Sequence, residues 1–312
     1  MREQDVTFKP GNHAIFLVFG LNKPDDTGPV KAICEDAPSF VRSLRNRYPA
    51  ETVSCVLGFG SPAWDHLFPR RKKPKELSPF AEIKGEKFTA PSTPGDLFFH
   101  IRSSRADLAV ELASLVTESL GDSVFPIDEV HGFRYFDGRA ILGFVDGTEN
   151  PDIPEESRRF AVIGDAEPDF KGGSYCFVQK YVHDMAAWNK LSTEEQEKVI
   201  GRGKFNDREL SDEDKPENAH NAVTNIEDEN GEELKIVRAN MPFANPGKGE
   251  YGTYFIGYAS TFTTTRKMLE NMFIGDPVGN TDRILDFSTA VTGALFFIPS
   301  LELLDELAAA ED

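Results

Sequence analysis

Hydrophobic and polar positions along this chain fall into short apolar runs of strand length and longer stretches of helical spacing, in alternation. His13–Leu21 is an apolar run that predicts a strand, and Ala37–Tyr48 has helical spacing through Phe40, Leu44 and Tyr48. Thr52–Phe59 and Asp96–Arg102 predict two further strands. Leu108–Leu120 predicts an amphipathic helix, with Leu108, Leu112, Leu115 and Val116 on one face, and Val130–Phe136 predicts the strand after it. The second half repeats the order. Tyr175–Val182 predicts a strand, Met185–Ile200 a helix, Thr253–Ser260 a strand, Thr264–Phe273 a helix and Gly293–Pro299 a last strand.

The two halves also resemble each other in detail. GDLFFHIRSS from Gly95 and GTYFIGYAST from Gly252 each begin with Gly, run through an aromatic-rich strand, turn at Ser and enter an amphipathic helix. Such self-similarity points to a duplicated unit. The expected fold is therefore α+β, two split-βαβ, ferredoxin-like domains with antiparallel sheets and peripheral helices. A length of 312 residues also suits two domains. The boundary is expected in the Gly138–Pro154 segment, giving an N-terminal domain over 1–140 and a C-terminal one over 141–312. Arg202–Asn218 is charged and poor in apolar residues, so it reads as a long functional loop or cover.

Charge and composition narrow the partners. The formal net charge of −18 repels phosphate backbones, so nucleic acid is not an expected partner. The basic run Arg70–Lys73 sits between Pro69 and Pro74 and reads as a solvated loop. No stretch approaches the ~18 apolar residues of a membrane span, and no secretory signal is read at the N-terminus. Cys34, Cys55 and Cys176 are too scattered for a disulfide framework or a zinc site. Cys55 and Cys176 fall in apolar strands as small core residues, and a reducing cytoplasm is the expected setting.

Several motifs are set aside. GFGSPA at Gly58–Ala63 matches a dinucleotide fingerprint only in form, because a long helix should follow it directly. IEDENGEEL has Ile226 where a calcium loop needs its first oxygen ligand. No two of the histidines His13, His66, His100, His131, His183 and His220 stand at zinc-ligand spacing. His220, in PENAHNAVT, is set apart by the charged loop before it and by Arg238 in KIVRANMPF after it. In GRAILGFVDGTENP, Asp146-Gly147 alone is an ordinary turn signal, yet an apolar run precedes it and Thr148, Glu149, Asn150 and Pro151 follow.

The run Gly143–Thr148, within GFVDGTENP, resembles the G-x-x-D-G-T signature of dye-decolourising peroxidases. ENAHNAV, GEELKIVRANMPF, GTYFIGYAST and DRILDFSTAVTGALFFIP also look like that family, in particular its compact bacterial B-type subgroup. The resemblance implies one haem b in the C-terminal domain, with His220 as the iron ligand. It implies that Asp146, Arg238 and Asn240 line the peroxide side and that a carboxylate accepts from His220, with Asp282 the first choice and Asp286 the second. Arg202 is a candidate partner for a haem propionate. The implied activity is reduction of hydrogen peroxide and oxidation of dyes, phenolics or other organic donors through an iron–oxo intermediate, in a homo-oligomer. A haem-handling protein of the same fold is the alternative.

The chemistry suits these residue types. A histidine ligand that donates its second N–H to a carboxylate becomes more electron-rich, which favours O–O cleavage. An aspartate can move a proton between peroxide oxygens, whereas Arg238 can only lend positive charge. Surface electron entry would use Tyr or Trp, with Trp64, Trp188 and the tyrosines as candidates. The chain ends LLDELAAAED, straight after the last predicted element, so no packaging tag is expected.

Overall fold

The computed structural model describes residues 1–9, 11–22 and 27–310. In the first half, β1 (His13–Leu21), α1 (Gly28–Arg47), β2 (Val53–Gly60), β3 (Leu97–Ser103), α2 (Ala106–Leu120) and β4 (Val124–Phe133) follow in turn. In the second half the strands are β5 (Ser174–His183), β6 (Met241–Asn245), β7 (Glu250–Ala259) and β8 (Ala294–Ile298). Short helices α3 (Thr193–Ile200) and α4 (His220–Thr224) precede β6, and α5 (Phe262–Phe273) follows β7.

All strand pairings in the main sheet are antiparallel, in the order β6-β7-β5-β8-β2-β3-β1-β4. Val237–Arg238 also pairs with β7, and Ser288–Ala290 with β5. Each half thus contributes the strand order of a ferredoxin-like unit. The halves join where β8 pairs with β2, Phe296 opposite Gly60 and Phe297 opposite Phe59. At the other ends the sheet curls round, and a Cβ added at Gly132 of β4 would strike Met241 of β6.

Strand alternation divides the core into two layers. Ile15, Leu17 and Phe19 face outward, where Ile33 and Val41 of α1 and Leu112 and Val116 of α2 cover them. Ala14, Phe16 and Val18 face inward with Val56, Phe98, Cys176, Tyr254, Tyr258 and Phe296, filling the space the curled sheet encloses. The three cysteines are free, and Cys34 and Cys176 are buried.

The expected elements need four corrections. The helix read from Ala37 begins at Gly28, with a Pro in its first turn. The helix read over Met185–Ile200 is broken, because Ser192 and Glu195 form a capping box that starts α3 afresh. The strand read at Val130–Phe136 is Val124–Phe133, an edge strand that tolerates Pro126. A helix does follow GFGSPA, at Ser61–Leu67, but it is short and packs as core through Ala63, Trp64 and Leu67. Trp64 and Trp188 are fully buried packing residues, so neither is a surface relay. Among the described residues, no helix is long and apolar enough to cross a membrane.

Candidate functional site

The segment before Asp146 is anchored by its apolar residues. Leu142 and Phe144 pack with Trp188, Val199 and Ile200, and the Trp188 indole donates to the Leu142 carbonyl at 3.0 Å. Gly143 and Gly147 both hold positive φ, at 94° and 80°, which explains the glycines of the motif. The residues after Asp146 fasten the loop outward. Thr148 donates to Asp207 at 2.8 Å, and Glu149 ion-pairs with Arg202. Asn150 makes two bonds to one residue: its Nδ2 donates to the Arg238 carbonyl and its Oδ1 accepts from the Arg238 N–H, each at 2.8 Å. The loop carrying Asp146 is thereby tied to the strand carrying Arg238.

Asn240 donates from Nδ2 to Asp146 Oδ1 at 3.2 Å, while its Oδ1 accepts from the Ile256 N–H at 3.1 Å. The second bond fixes the amide so that its N–H₂ faces Asp146. Arg238 feels three influences. Burial lowers its proton affinity, the Asp146 carboxylate raises it, and the Arg202 guanidinium lowers it again. Arg202 stands one layer further out, donating to the Asp207 carbonyl at 3.1 Å beside its pair with Glu149. Arg238 borders a recess that Glu149, Glu209, Asn221 and Lys235 also line.

On the opposite side, His220 opens α4, and its Nδ1 lies 2.7 Å from Asp282 Oδ2. Asp282 is fully buried, and its other oxygen accepts from the Ile284 N–H at 2.9 Å. That leaves it rigid and aimed. Asp286, the second choice, instead ion-pairs with Lys87 at the surface. Among the described residues, no cluster of three or more His, Cys, Asp or Glu side chains could hold a bare metal ion.

Between these two sides lies a cavity of about 150 Å³. His220 borders it on one side, Asp146 and Asn240 on the other, and most of its wall is apolar, including Leu142, Phe144, Phe255 and Ile284. This donor set fits a large flat apolar cofactor bound through one imidazole, since among the described residues His220 Nε2 makes no hydrogen bond and its Nδ1 already has a buried acceptor. His183 also lines the cavity, with Nδ1 2.8 Å from the Ser288 hydroxyl and Nε2 2.9 Å from the Thr253 hydroxyl. Burial pushes its pKa down to about 4, so the ring is neutral near pH 7. Sequence reading missed the roles of His183 and Asn150. For Asn150 a signal existed, the polar residues that trail Asp146-Gly147; for His183 strand alternation offered none.

Comparison with known proteins agrees with this geometry. Residues 8–134 match the model of the N-terminal part of Dyp-type peroxidases, and residues 137–303 that of the C-terminal part. A dye-decolorizing peroxidase of Mycobacterium tuberculosis is 54% identical over 292 residues, which cover 94% of this chain and 86% of that protein. The crystal structure of a dye-decolorizing peroxidase from Bacteroides thetaiotaomicron is 64% identical, with a TM-score of 0.95 and 98% of each chain covered. A variant of the Rhodococcus jostii RHA1 relative, solved in complex with haem, is 48% identical, with a TM-score of 0.95 over 98% of this chain and 100% of that one. The chain therefore belongs to the Dyp-type peroxidase family and is an enzyme of that class.

Proposed function

We propose that this chain is a haem b peroxidase that reduces hydrogen peroxide and oxidises dyes, phenolics or similar organic donors, with His220 as the iron ligand. The observation that carries the reading is the cavity set between the His220–Asp282 pair and the Asp146–Asn240 pair. The haem found with the Rhodococcus jostii relative supports the same cofactor here. Bound there, haem supplies the iron at which peroxide is split. Asp282 accepts from His220 Nδ1, which fixes the ring and leaves Nε2 as the ligating atom. On the other side Asp146 takes the proton of the inner peroxide oxygen and returns it to the outer one. Asn240 holds the Asp146 carboxylate in place, and Arg238 lends positive charge to the developing anion. Arg202, now paired with Glu149, would hold an acidic substituent of the haem. A storage protein needs no proton carrier, so the Asp146–Asn240 pair favours turnover over haem handling.

The rest of the reading follows from the same features. The division into 1–140 and 141–312 is supported by the two family matches, which part between residues 134 and 137. Free cysteines fit a cytoplasmic setting, and the exposed Phe136, Phe205 and Val278 suit contact with further copies of the chain. Absorption spectra of haem-loaded protein and of His220→Ala test the core of the proposal. A strong Soret band that shifts on adding peroxide, and is lost or altered in the variant, is expected. A Soret band indifferent to peroxide would favour haem handling, and no haem uptake would end the proposal.

A further inference from the structure

The space enclosed by the curled sheet holds polar groups that the cavity does not use. His100 of β3 and Tyr258 of β7 are both completely buried, and His100 Nδ1 lies 2.8 Å from the Tyr258 hydroxyl oxygen. They end a column of rings running along the interior. Tyr254 stacks on Phe16 at 4.1 Å between centroids, Phe16 on His100 at 4.8 Å, and His100 on Tyr258 at 6.1 Å. Around the column, His100 Nε2, Arg102 Nε and Ser54 Oγ are buried with no hydrogen-bond partner among the described residues. Buried polar atoms left so destabilise a fold, and hydrocarbon of the same shape would fill the space without that cost. A packing role alone does not account for the set.

The chemistry of the pair is specific. Burial, and next the nearby Arg102 charge, hold the His100 pKa well below its ordinary value, so the ring is neutral. Burial also holds the Tyr258 phenol well above its ordinary pKa. The phenol therefore keeps its proton at rest; with the imidazole proton on Nε2, Nδ1 accepts from the Tyr258 hydroxyl, which also touches the Cys176 thiol across the strand pair. Tyr258 also lies on β7, the strand whose Thr253 and Phe255 line the cavity. Its cross-strand partner is Val237, while the next pair along is Gly257 with Arg238, so one sheet separates the ring from the pocket side.

We propose that Tyr258 and His100 form an internal proton-coupled redox pair, a store for one oxidising equivalent when no donor is at hand. The inference rests on the peroxidase reading above. In the step, Tyr258 passes one electron through the sheet to the peroxide-oxidised cofactor, which is thereby reduced by one equivalent. The Tyr258 O–H bond breaks and its proton forms an N–H bond at His100 Nδ1, leaving a neutral tyrosyl radical beside an imidazolium. An electron from an organic donor later reduces the radical, and the proton returns from His100. The positive charge of Arg102 next to the new imidazolium favours that return.

The test uses haem-loaded protein mixed with one equivalent of peroxide and no donor, followed by Soret absorbance and freeze-quench electron paramagnetic resonance. Wild type should give a tyrosyl radical with a nitrogen coupling, and exchanging the histidine ring nitrogens for their heavier isotope should change that coupling. Tyr258→Phe keeps the stacked ring and should lose the signal while its Soret band still responds to peroxide. Tyr254→Phe should keep the signal. An unchanged radical in Tyr258→Phe, a responsive Soret band with no tyrosyl radical in wild type, or a radical without the histidine coupling would overturn the inference alone. A wild-type Soret band that ignores peroxide would instead overturn the peroxidase reading and the inference with it. The labelled wild-type measurement decides the matter even if Tyr258→Phe does not fold.

Discussion

The two halves of the molecule run the same strand order and differ in what covers the outer face of the sheet. In the first half α1 and α2 lie along it, and Ile33, Val41, Leu112 and Val116 seal the apolar face. In the second half, where α1 has its counterpart, the chain makes only Met185–Trp188, α3 and α4, none longer than eight residues. The sheet face there stays partly uncovered, and Tyr181, His183, Thr253 and Phe255 become the wall of a cavity. A duplicated scaffold thus acquires a site where a helix has been replaced by loops. The same loops carry His220, and the segment joining the halves carries Asp146.

On this division of labour the largest effect on chemistry is expected at Arg238, whose charge acts on Asp146 at the cavity wall. Arg238→Leu is expected to slow peroxide activation by ~10²–10³-fold, the usual loss for one group stabilising a developing anion. Asp146→Asn should do less, because Arg238 remains. Stopped-flow mixing with peroxide checks both, and a larger Asp146 effect would reverse the ranking. In the first half the largest effect falls on stability instead. Leu112→Ala removes a fully buried side chain under α2 and should cost about 2–5 kcal/mol in denaturant unfolding, with the Soret response to peroxide unchanged. A spectral change on that substitution would mean the halves are coupled more tightly than their separate cores suggest.

A smaller and pH-dependent effect belongs to His183. Its folded pKa is depressed to about 4 from 6.5, so above pH 6.5 the ring is neutral in both folded and unfolded chains and no penalty exists. As pH falls from 6.5 towards 4 the unfolded chain binds a proton that the fold refuses, and stability drops. The full loss is on the order of 3 kcal/mol, and buried His100 adds to it in the same direction. Urea midpoints between these limits should fall less steeply for His183→Gln than for wild type. Identical slopes would remove His183 as the cause.

How much of this was legible depends on whether the signal was local. The apolar runs of β1, β2, β3, β5 and β8 were readable because these strands are buried on both faces. The edge strand β4 was cut short in reading, since only Val124, Val130 and Gly132 are buried among its ten residues. The broken helix at Ser192 carried its own punctuation, the Ser and Glu of a capping box, and periodicity overran it. At the site, His220 and Asp282 are 62 residues apart, and Asp282 and Asp286 share one segment. Which carboxylate turns inward is settled by the turn that begins at Asp282, a matter of side-chain direction. His183 gave no sign, because a histidine in a doubly buried strand reads the same whether it packs against a helix or lines a cavity.

The smallest of the expected effects tests how the loop of one region is held to the strand of the other. Asn150 pairs through its amide with both backbone groups of Arg238, and Asp146 lies only four residues before it. Asn150→Ala leaves an N–H and a carbonyl of Arg238 without partners, which should cost about 1–3 kcal/mol of stability. Asp146 would then wander relative to Asn240 and Arg238, and peroxide activation should fall by roughly tenfold, less than on losing Arg238 itself. Asn150→Asp keeps the acceptor for the Arg238 N–H but loses the donor to its carbonyl, so it should lie between wild type and Ala in both measurements. Stability that falls while activation holds would mean that Thr148 and Glu149, through Asp207 and Arg202, suffice to aim the carboxylate. The apolar grip on Leu142 and Phe144 would then matter more than the polar strap, and the site would be held in place mainly by the small core beneath it.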